Sequence, residues 1–371
     1  MKHSFFTTSA LSVLMAFGFT SCNNEGNNLN TAVAAADVEA VKDIISAGTD
    51  LNAREATLDG TPLHVVATAD AAKMAKEAGN EDDAEEIAKI TGQLTEIAKL
   101  LIESGADASL VDKNGETALF PAARLGHTEV AKVFINSQKM DLNARAKNSA
   151  TAILPAAWHG HTEVVKALIA AGANINAADA NGNTALIFAA RKGHLNIVNA
   201  LIAARVNTEL PDIAGKTALT YAAQEGKNEV ITALTAAGAG LNTQDIDGNT
   251  ALMCAAIANQ NAAVQLLIDA KADLNLKNKN GYSAITAAAW AGNTEAVKAL
   301  LTAGATITAN EIEGFTLLMN ARGNSLYLPT LKAAGVDLNM KNAEGKSALQ
   351  LATEKGHSAV AEALKAAGAT E

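Results

Sequence analysis

Five glycines stand thirty-three residues apart, at Gly182, Gly215, Gly248, Gly281 and Gly314. A fixed period of that length means a short unit copied many times, each too small to bury its apolar face alone and so stacked on its neighbours. The 371-residue length would otherwise suggest two or three unlike domains. The period predicts one continuous array instead.

One unit reads Asn181-Gly182-Asn183-Thr184-Ala185-Leu186-Ile187-Phe188-Ala189-Ala190-Arg191-Lys192-Gly193-His194 and runs on from Leu195 to Ile202. Thr184 suits a helix N-cap, and Leu186, Ala189 and Ala190 fall on one helical face. Gly193 ends that helix. A second helix presents Ile197, Val198, Leu201 and Ile202. In sister units it stops at Gly105, Gly172, Gly238 or Gly304, where a left-handed cap favours a residue without Cβ. Connectors such as Asn174-Ile175-Asn176 and Asp273-Leu274-Asn275 then turn the chain back.

Helix, turn, helix and hairpin loop at this period resembles the ankyrin repeat. Thr61-Pro62-Leu63-His64-Val65-Val66-Ala67 is similar to that family's helix-start motif, with Pro62 at the first helical position, where its missing N–H costs nothing. The resemblance covers about residues 30–371. It implies an all-α solenoid of stacked helix-turn-helix units with short hairpin loops. Ten units are expected, beginning near Asn30, Asp59, Asn114, Asn148, Asn181, Ala214, Asp247, Asn280, Glu313 and Glu344.

Three departures stand out. Gly60 to Gly115 spans one period with extra residues, placed at about 68–92 and read as two lengthened helices projecting as a hairpin. Seven acidic residues gather there (Asp70, Glu77, Glu81, Asp82, Asp83, Glu85 and Glu86). Arg205 and Lys271 replace the capping glycine, at a cost of about 1 kcal/mol each if the left-handed cap is kept. The ninth unit is short around Asn320 to Asn324, where weaker stacking is expected.

The amino terminus reads as an address. Met1-Lys2-His3 is a short positive start, and Phe5 to Phe19 carries no formal charge. That stretch is too short for a stable membrane-spanning helix and has the order of a secretory signal. Phe19-Thr20-Ser21-Cys22 resembles the lipobox of bacterial lipoproteins, although Phe19 stands where Leu is typical and Ser21 where Gly or Ala is commoner. Residues 1–21 are thus read as a signal peptide, Cys22 as the lipidated residue, and 22–29, polar and without periodicity, as a tether. The implied address is the bacterial cell envelope, periplasm-facing or at the surface, with the lipid as the sole membrane contact.

Charge narrows the partners. Lys and Arg number 29 against 39 Asp and Glu, a net charge of −10. Such a surface repels phosphate backbones, so nucleic acid is not expected. Two cysteines, Cys22 and Cys254, leave no disulfide framework or Cys-based zinc site.

Candidate chemistry is sparse. His127, His161 and His194 share a Gly-His column, and His64 sits in the helix-start motif. The resemblance makes both columns structural, orienting turns through hydrogen bonds. His159-Gly160-His161 lacks the further ligands of a metal site. Cys254 lies in an apolar helix as a small hydrophobe. No phosphate loop, nucleophile elbow or dinucleotide fingerprint occurs. No catalysis, cofactor or metal is expected.

Surface recognition remains. In ankyrin proteins partner contacts come from residues beside the motif glycine and from the pair after Ala-Ala, along the concave side. Carried onto this chain, that implies two patches. One is Arg124, Trp158, His159, Arg191 and Lys192, cationic and aromatic; the other is Ile257, Tyr282, Trp290 and Phe315. Aromatic and Arg side chains dominate interface energies. The expected function is a non-catalytic, lipid-anchored scaffold binding a protein partner. The alternatives are a secreted factor directed at host proteins or a small-molecule or metal handling module, the latter resting on the His159 and His161 pair.

Overall fold

The computed structural model describes residues 25–57, 59–80, 83–321 and 326–370. Among them the chain is helical with no β-strand. Isolated antiparallel bridges join Val111 to Thr117, Ala178 to Thr184 and Lys341 to Ser347 at the bases of loops. None of the described helices is long and apolar enough to cross a membrane. The chain divides into two compact units, Met1–Ala185 and Leu186–Glu371.

The first unit holds α1 (Glu25–Ala34), α2 (Val38–Ser46), α3 (Pro62–Thr68), α4 (Ala71–Glu77), α5 (Ala84–Glu103), α6 (Leu119–Leu125), α7 (Thr128–Asn136), α8 (Ile153–His159) and α9 (Thr162–Ala170). The second opens with α10 (Ala185–Lys192), α11 (Leu195–Ala203), α12 (Ala218–Gln224), α13 (Asn228–Ala236), α14 (Ala251–Ile257) and α15 (Asn261–Asp269). It continues with α16 (Ala284–Trp290), α17 (Thr294–Thr302), α18 (Ala309–Ala321), α19 (Tyr327–Ala333), α20 (Ala348–Glu354) and α21 (Ser358–Ala366). Within each unit, first helices pack on first helices and second on second, giving an all-α repeat solenoid.

Periodicity explains the core. On α11, Ile197, Val198 and Leu201 are fully buried while Ile202 sits half-exposed at the rim, one helical step away. On α14, every residue from Ala251 to Ala256 is buried, because small side chains let neighbouring first helices approach closely. Second helices end as expected. After α9 the Gly172 N–H reaches Ile169 O and the Ala173 N–H reaches Leu168 O, both at 3.0 Å, with Gly172 at φ +81. Arg205 (φ +61) and Lys271 (φ +71) hold the same left-handed conformation despite their Cβ atoms.

Three expectations need correcting. Residues 25–29 are not tether: α1 begins at Glu25, and Leu29 and Val33 are fully buried. Leu29, Ala32 and Val33 form an apolar stripe against α2 and α3, and Asn30 Nδ2 donates to Ala53 O at 3.2 Å. Second, the first helix of the insertion is not lengthened. It stops at Thr68, Ala69 turns to extended backbone, and Asp70 caps a separate α4 by accepting the Ala72 and Lys73 N–H groups. The second helix is lengthened, to the 20 residues of α5, with Asp83 as its cap. Two of the clustered acids are therefore helix starts.

The third concerns Gly314. Its column mates lie in loops at positive φ, but Gly314 lies inside α18. The cause is upstream. Sister loops carry Asp or Asn thirty-three residues apart, at Asp212, Asp245 and Asn278, but the next in that column is Glu311. Its longer side chain reaches back to the Thr308 N–H at 2.8 Å, while Thr308 Oγ1 accepts the Glu311 N–H at 3.2 Å. That reciprocal capping box starts a helix where the repeat calls for a loop. α18 then packs on α20 and α21, and α19 on α16 and α17.

Candidate partner-binding face

The loops between repeats are built around one carboxylate or amide. Asp112 Oδ1 accepts the N–H groups of Asn114 at 2.8 Å and Glu116 at 2.9 Å, while its carbonyl takes the Gly115 N–H. Asp212, Asp245, Asn278 and Asn342 repeat the arrangement in the second unit. Adjacent loops are bonded, Lys147 N–H to Asn114 O and Ile246 N–H to Ala214 O, each at 3.0 Å. Gly215 is required twice: its φ is +73, and a Cβ there would lie 2.8 Å from Ile246 N. The result is a row of rigid fingers beside the first-helix ends.

On those ends, exposure rises abruptly after the Ala-Ala pair. Ile257 is 38% exposed directly after six buried residues. Trp158 and Trp290 are half-buried at the ends of α8 and α16; His159, Arg191 and Lys192 are exposed. Arg124 lies 3.2 Å from the Glu116 carboxylate, which burial pushes above its ordinary range and Arg124 pulls back. Tyr282 is only 9% exposed, so little of it is left to touch a partner. Its column follows the loop glycine, and its ring turns into the repeat instead of outward. The Phe315 side chain and Cys22 lie outside the described residues. Arg124, Trp158 and His159 belong to the first unit; Arg191, Lys192, Ile257, Tyr282 and Trp290 belong to the second.

The histidines bond to neighbouring repeats. His64 Nδ1 accepts the Thr61 N–H at 3.1 Å, which leaves Nε2 to donate to Glu116 O at 2.9 Å. His127 Nδ1 donates to Ala67 O and His161 Nε2 to Arg124 O, both at 3.0 Å. Asn293 does the same work with its amide, donating to Ala256 O at 3.3 Å. Burial lowers the pKa of His64 and of His127, favouring neutral rings. The His159 ring stacks 6.0 Å from that of His161. Among the described residues no group of three or more His, Cys, Asp or Glu is placed to hold a metal ion. The Cys254 thiol is buried and pushed up to about 11, which leaves it protonated and inert.

Two clusters escaped the sequence reading. Tyr221 donates its OH to Asp212 Oδ2 at 2.6 Å, and burial together with that bond pushes it to about 12. Arg191 lies 5.1 Å and Lys216 Nζ 5.6 Å from its ring centre. Its cationic partners come from outside its own helix, so no spacing within that helix signals the cluster. Glu313, 2% exposed, is held by Lys355 Nζ at 3.0 Å and His357 Nδ1 at 2.7 Å. His357 follows Gly356 in the Gly-His column, so this too is an inter-repeat bond.

The chain matches no curated protein. A family model described as ankyrin repeats (3 copies) matches residues 85–179, 156–245 and 221–311. Those spans cover more than half of the 371 residues and include the fingers of Asp112, Asp212, Asp245 and Asn278 and the histidines His127 and His161. The chain belongs to the ankyrin repeat family.

Proposed function

We propose that this chain is a non-catalytic scaffold, held in the bacterial envelope by a lipid on Cys22, that grips a protein partner with its fingers and first-helix ends. Ankyrin repeats generally bind protein partners and are generally non-catalytic. The observation that carries the reading is the break in burial after each Ala-Ala pair. On α14 the residues before Ile257 are sealed, yet an isoleucine follows at 38% exposure. On α8 the fully buried Ala156 and Ala157 are followed by a half-buried Trp158. Large apolar and aromatic groups kept at a surface are what a recognition face needs.

A photoreactive residue at position 290 in living cells tests it, with position 265 on the second-helix side as control. Trapping of a protein from 290 and not from 265 is expected. Equal trapping from 265, or none from 290, overturns the placement. Mass spectrometry of the amino terminus tests the anchor. A diacylated or triacylated Cys22 is the expected species, whereas a free soluble chain favours a secreted factor directed at host proteins.

A further inference from the structure

The fingers of the first unit carry exposed cations. Lys113 and Lys147 stand at their tips, both exposed, where the second unit has Ile213, Ile246 and Lys279. Arg145 stands beside them. Its guanidinium donates to Ser149 O at 3.0 Å and Ala178 O at 3.1 Å, and Lys113 Nζ donates to Thr57 O at 2.8 Å. These acceptors are neutral carbonyls. Among the described residues no carboxylate approaches Lys113, Arg145 or Lys147 to ion-pair distance.

Two of the nearby carboxylates are buried, and the exposed Asp59 is paired with Arg54 at 3.0 Å. Asp112, 9% exposed, uses Oδ1 for the finger N–H groups and Oδ2 for the Asn114 amide. Glu116, also 9% exposed, is held by Arg124. With Asp112 and Glu116 buried and Asp59 paired, the exposed Lys113, Arg145 and Lys147 form a locally cationic strip on a chain of net charge −10.

The strip is continuous with the recognition helices. Lys147 N–H bonds to Asn114 O, next to Glu116; Glu116 pairs with Arg124. The Arg124 carbonyl accepts from His161, whose ring stacks on His159, beside the half-buried Trp158. The screening length at physiological salt is about 8 Å. A segment lying on this strip therefore feels its cations and little of the distant negative charge.

We infer that the first unit docks an acidic peptide segment carrying at least one aromatic or large apolar residue, its carboxylates on Lys113, Arg145 and Lys147 and its apolar group on Trp158. This names the partner chemistry of the face proposed above and rests on that reading. Nucleic acid fits less well, because it needs many phosphate contacts and the net charge opposes it.

Selection of short random peptides displayed on phage against the full chain tests the inference. Expected are enriched sequences with net negative charge and an aromatic or large apolar residue. The best one, made synthetically, is expected to bind about tenfold more weakly to the K113E/K147E double variant. It should also weaken as salt rises. Both lysines are exposed at loop tips, and the circular dichroism melt of the variant should match the parent. Enrichment of neutral or basic peptides overturns the inference, as does unchanged binding to the double variant. So does binding of anionic phospholipid vesicles or single-stranded DNA in place of peptide. A chain that crosslinks a protein from position 290 yet selects basic peptides keeps its scaffold role and loses this assignment alone.

Discussion

Asn242 Oδ1 accepts the backbone N–H of Asp273, in the next repeat, at 2.9 Å. The same bond recurs from Asn52 to Asp107, Asn143 to Asn174, Asn275 to Thr306 and Asn339 to Thr370. Glu209 makes it to Gly240 at 2.8 Å with a carboxylate instead. In these connectors one side-chain oxygen ties a repeat to the one that follows. Asn242→Ala removes the acceptor and should lower stability by about 1 kcal/mol in urea titration. Asn242→Asp keeps an oxygen there, as Glu209 does, and should stay near the parent. Equal losses in both variants would mean that this bond is not what matters.

The finger carboxylate makes a sharper comparison. Asp245 is buried and accepts the N–H groups of Asp247 at 3.0 Å and Asn249 at 2.8 Å. Asp245→Ala strands both donors and should cost about 1–3 kcal/mol. Asp245→Asn should cost far less, since Asn278 and Asn342 already build the same turn. Thermal melts of the two variants check this.

Arg205 and Lys271 are sites where stability can be gained. Both sit at positive φ where sister repeats have glycine. A Cβ in that conformation costs about 1 kcal/mol. R205G and K271G should each raise the urea midpoint, and the pair should be close to additive because the sites are far apart in sequence and share no partner.

The buried histidines set a pH dependence with a definite sign. Burial lowers the folded pKa of His64 and of His127 below the unfolded value of about 6.5. As pH falls, the unfolded chain takes up these protons first. The stability they contribute is complete above about pH 6.5 and is lost as pH drops toward the lowered folded values. The slope is at most about 1.4 kcal/mol per pH unit per ring. H127N should keep the bond to Ala67 O, as Asn293 keeps the equivalent one to Ala256 O, and flatten the decline between pH 7.5 and 5.5. A decline as steep in H127N as in the parent would remove His127 from the account.

Helix pairing was legible in the sequence because the apolar period and the glycine spacing reinforce one another, as on α11 with its buried Ile197, Val198 and Leu201. The break at Ala69 was not, because the alanines of α4 extend the stripe of α3 and only Asp70, read as one acid among seven, marks the new start. The amino-terminal helix was hidden by composition: asparagines around Leu29 resemble a linker, yet Leu29, Ala32 and Val33 are buried on one face and dock it. On the candidate face, the rise in exposure after Ala-Ala was readable by column, as at Ile257. Tyr282 was not, since a column fixes a backbone position and leaves the direction of a large ring to its packing. The Tyr221 cluster depends on Lys216 and Arg191 converging from different repeats, a relation with no local pattern.

Gly215 and Gly314 share one column of the period, and their replacement by alanine should act with opposite signs. Gly215 holds φ +73 in a finger, with the neighbouring finger's backbone 2.8 Å from where a Cβ would stand. Alanine there must both strain its own backbone and push Ile246 away, so Gly215→Ala should destabilise by more than 1 kcal/mol, roughly. Gly314 lies inside α18 with no atom within 4 Å of an added Cβ. There alanine removes the entropy penalty of a helical glycine, and Gly314→Ala should stabilise by about 0.5–1 kcal/mol. The difference follows from Glu311 and Thr308 having turned a loop into a helix start. If Gly314→Ala instead destabilises as Gly215→Ala does, the ninth repeat has kept its finger and the capping box is not formed.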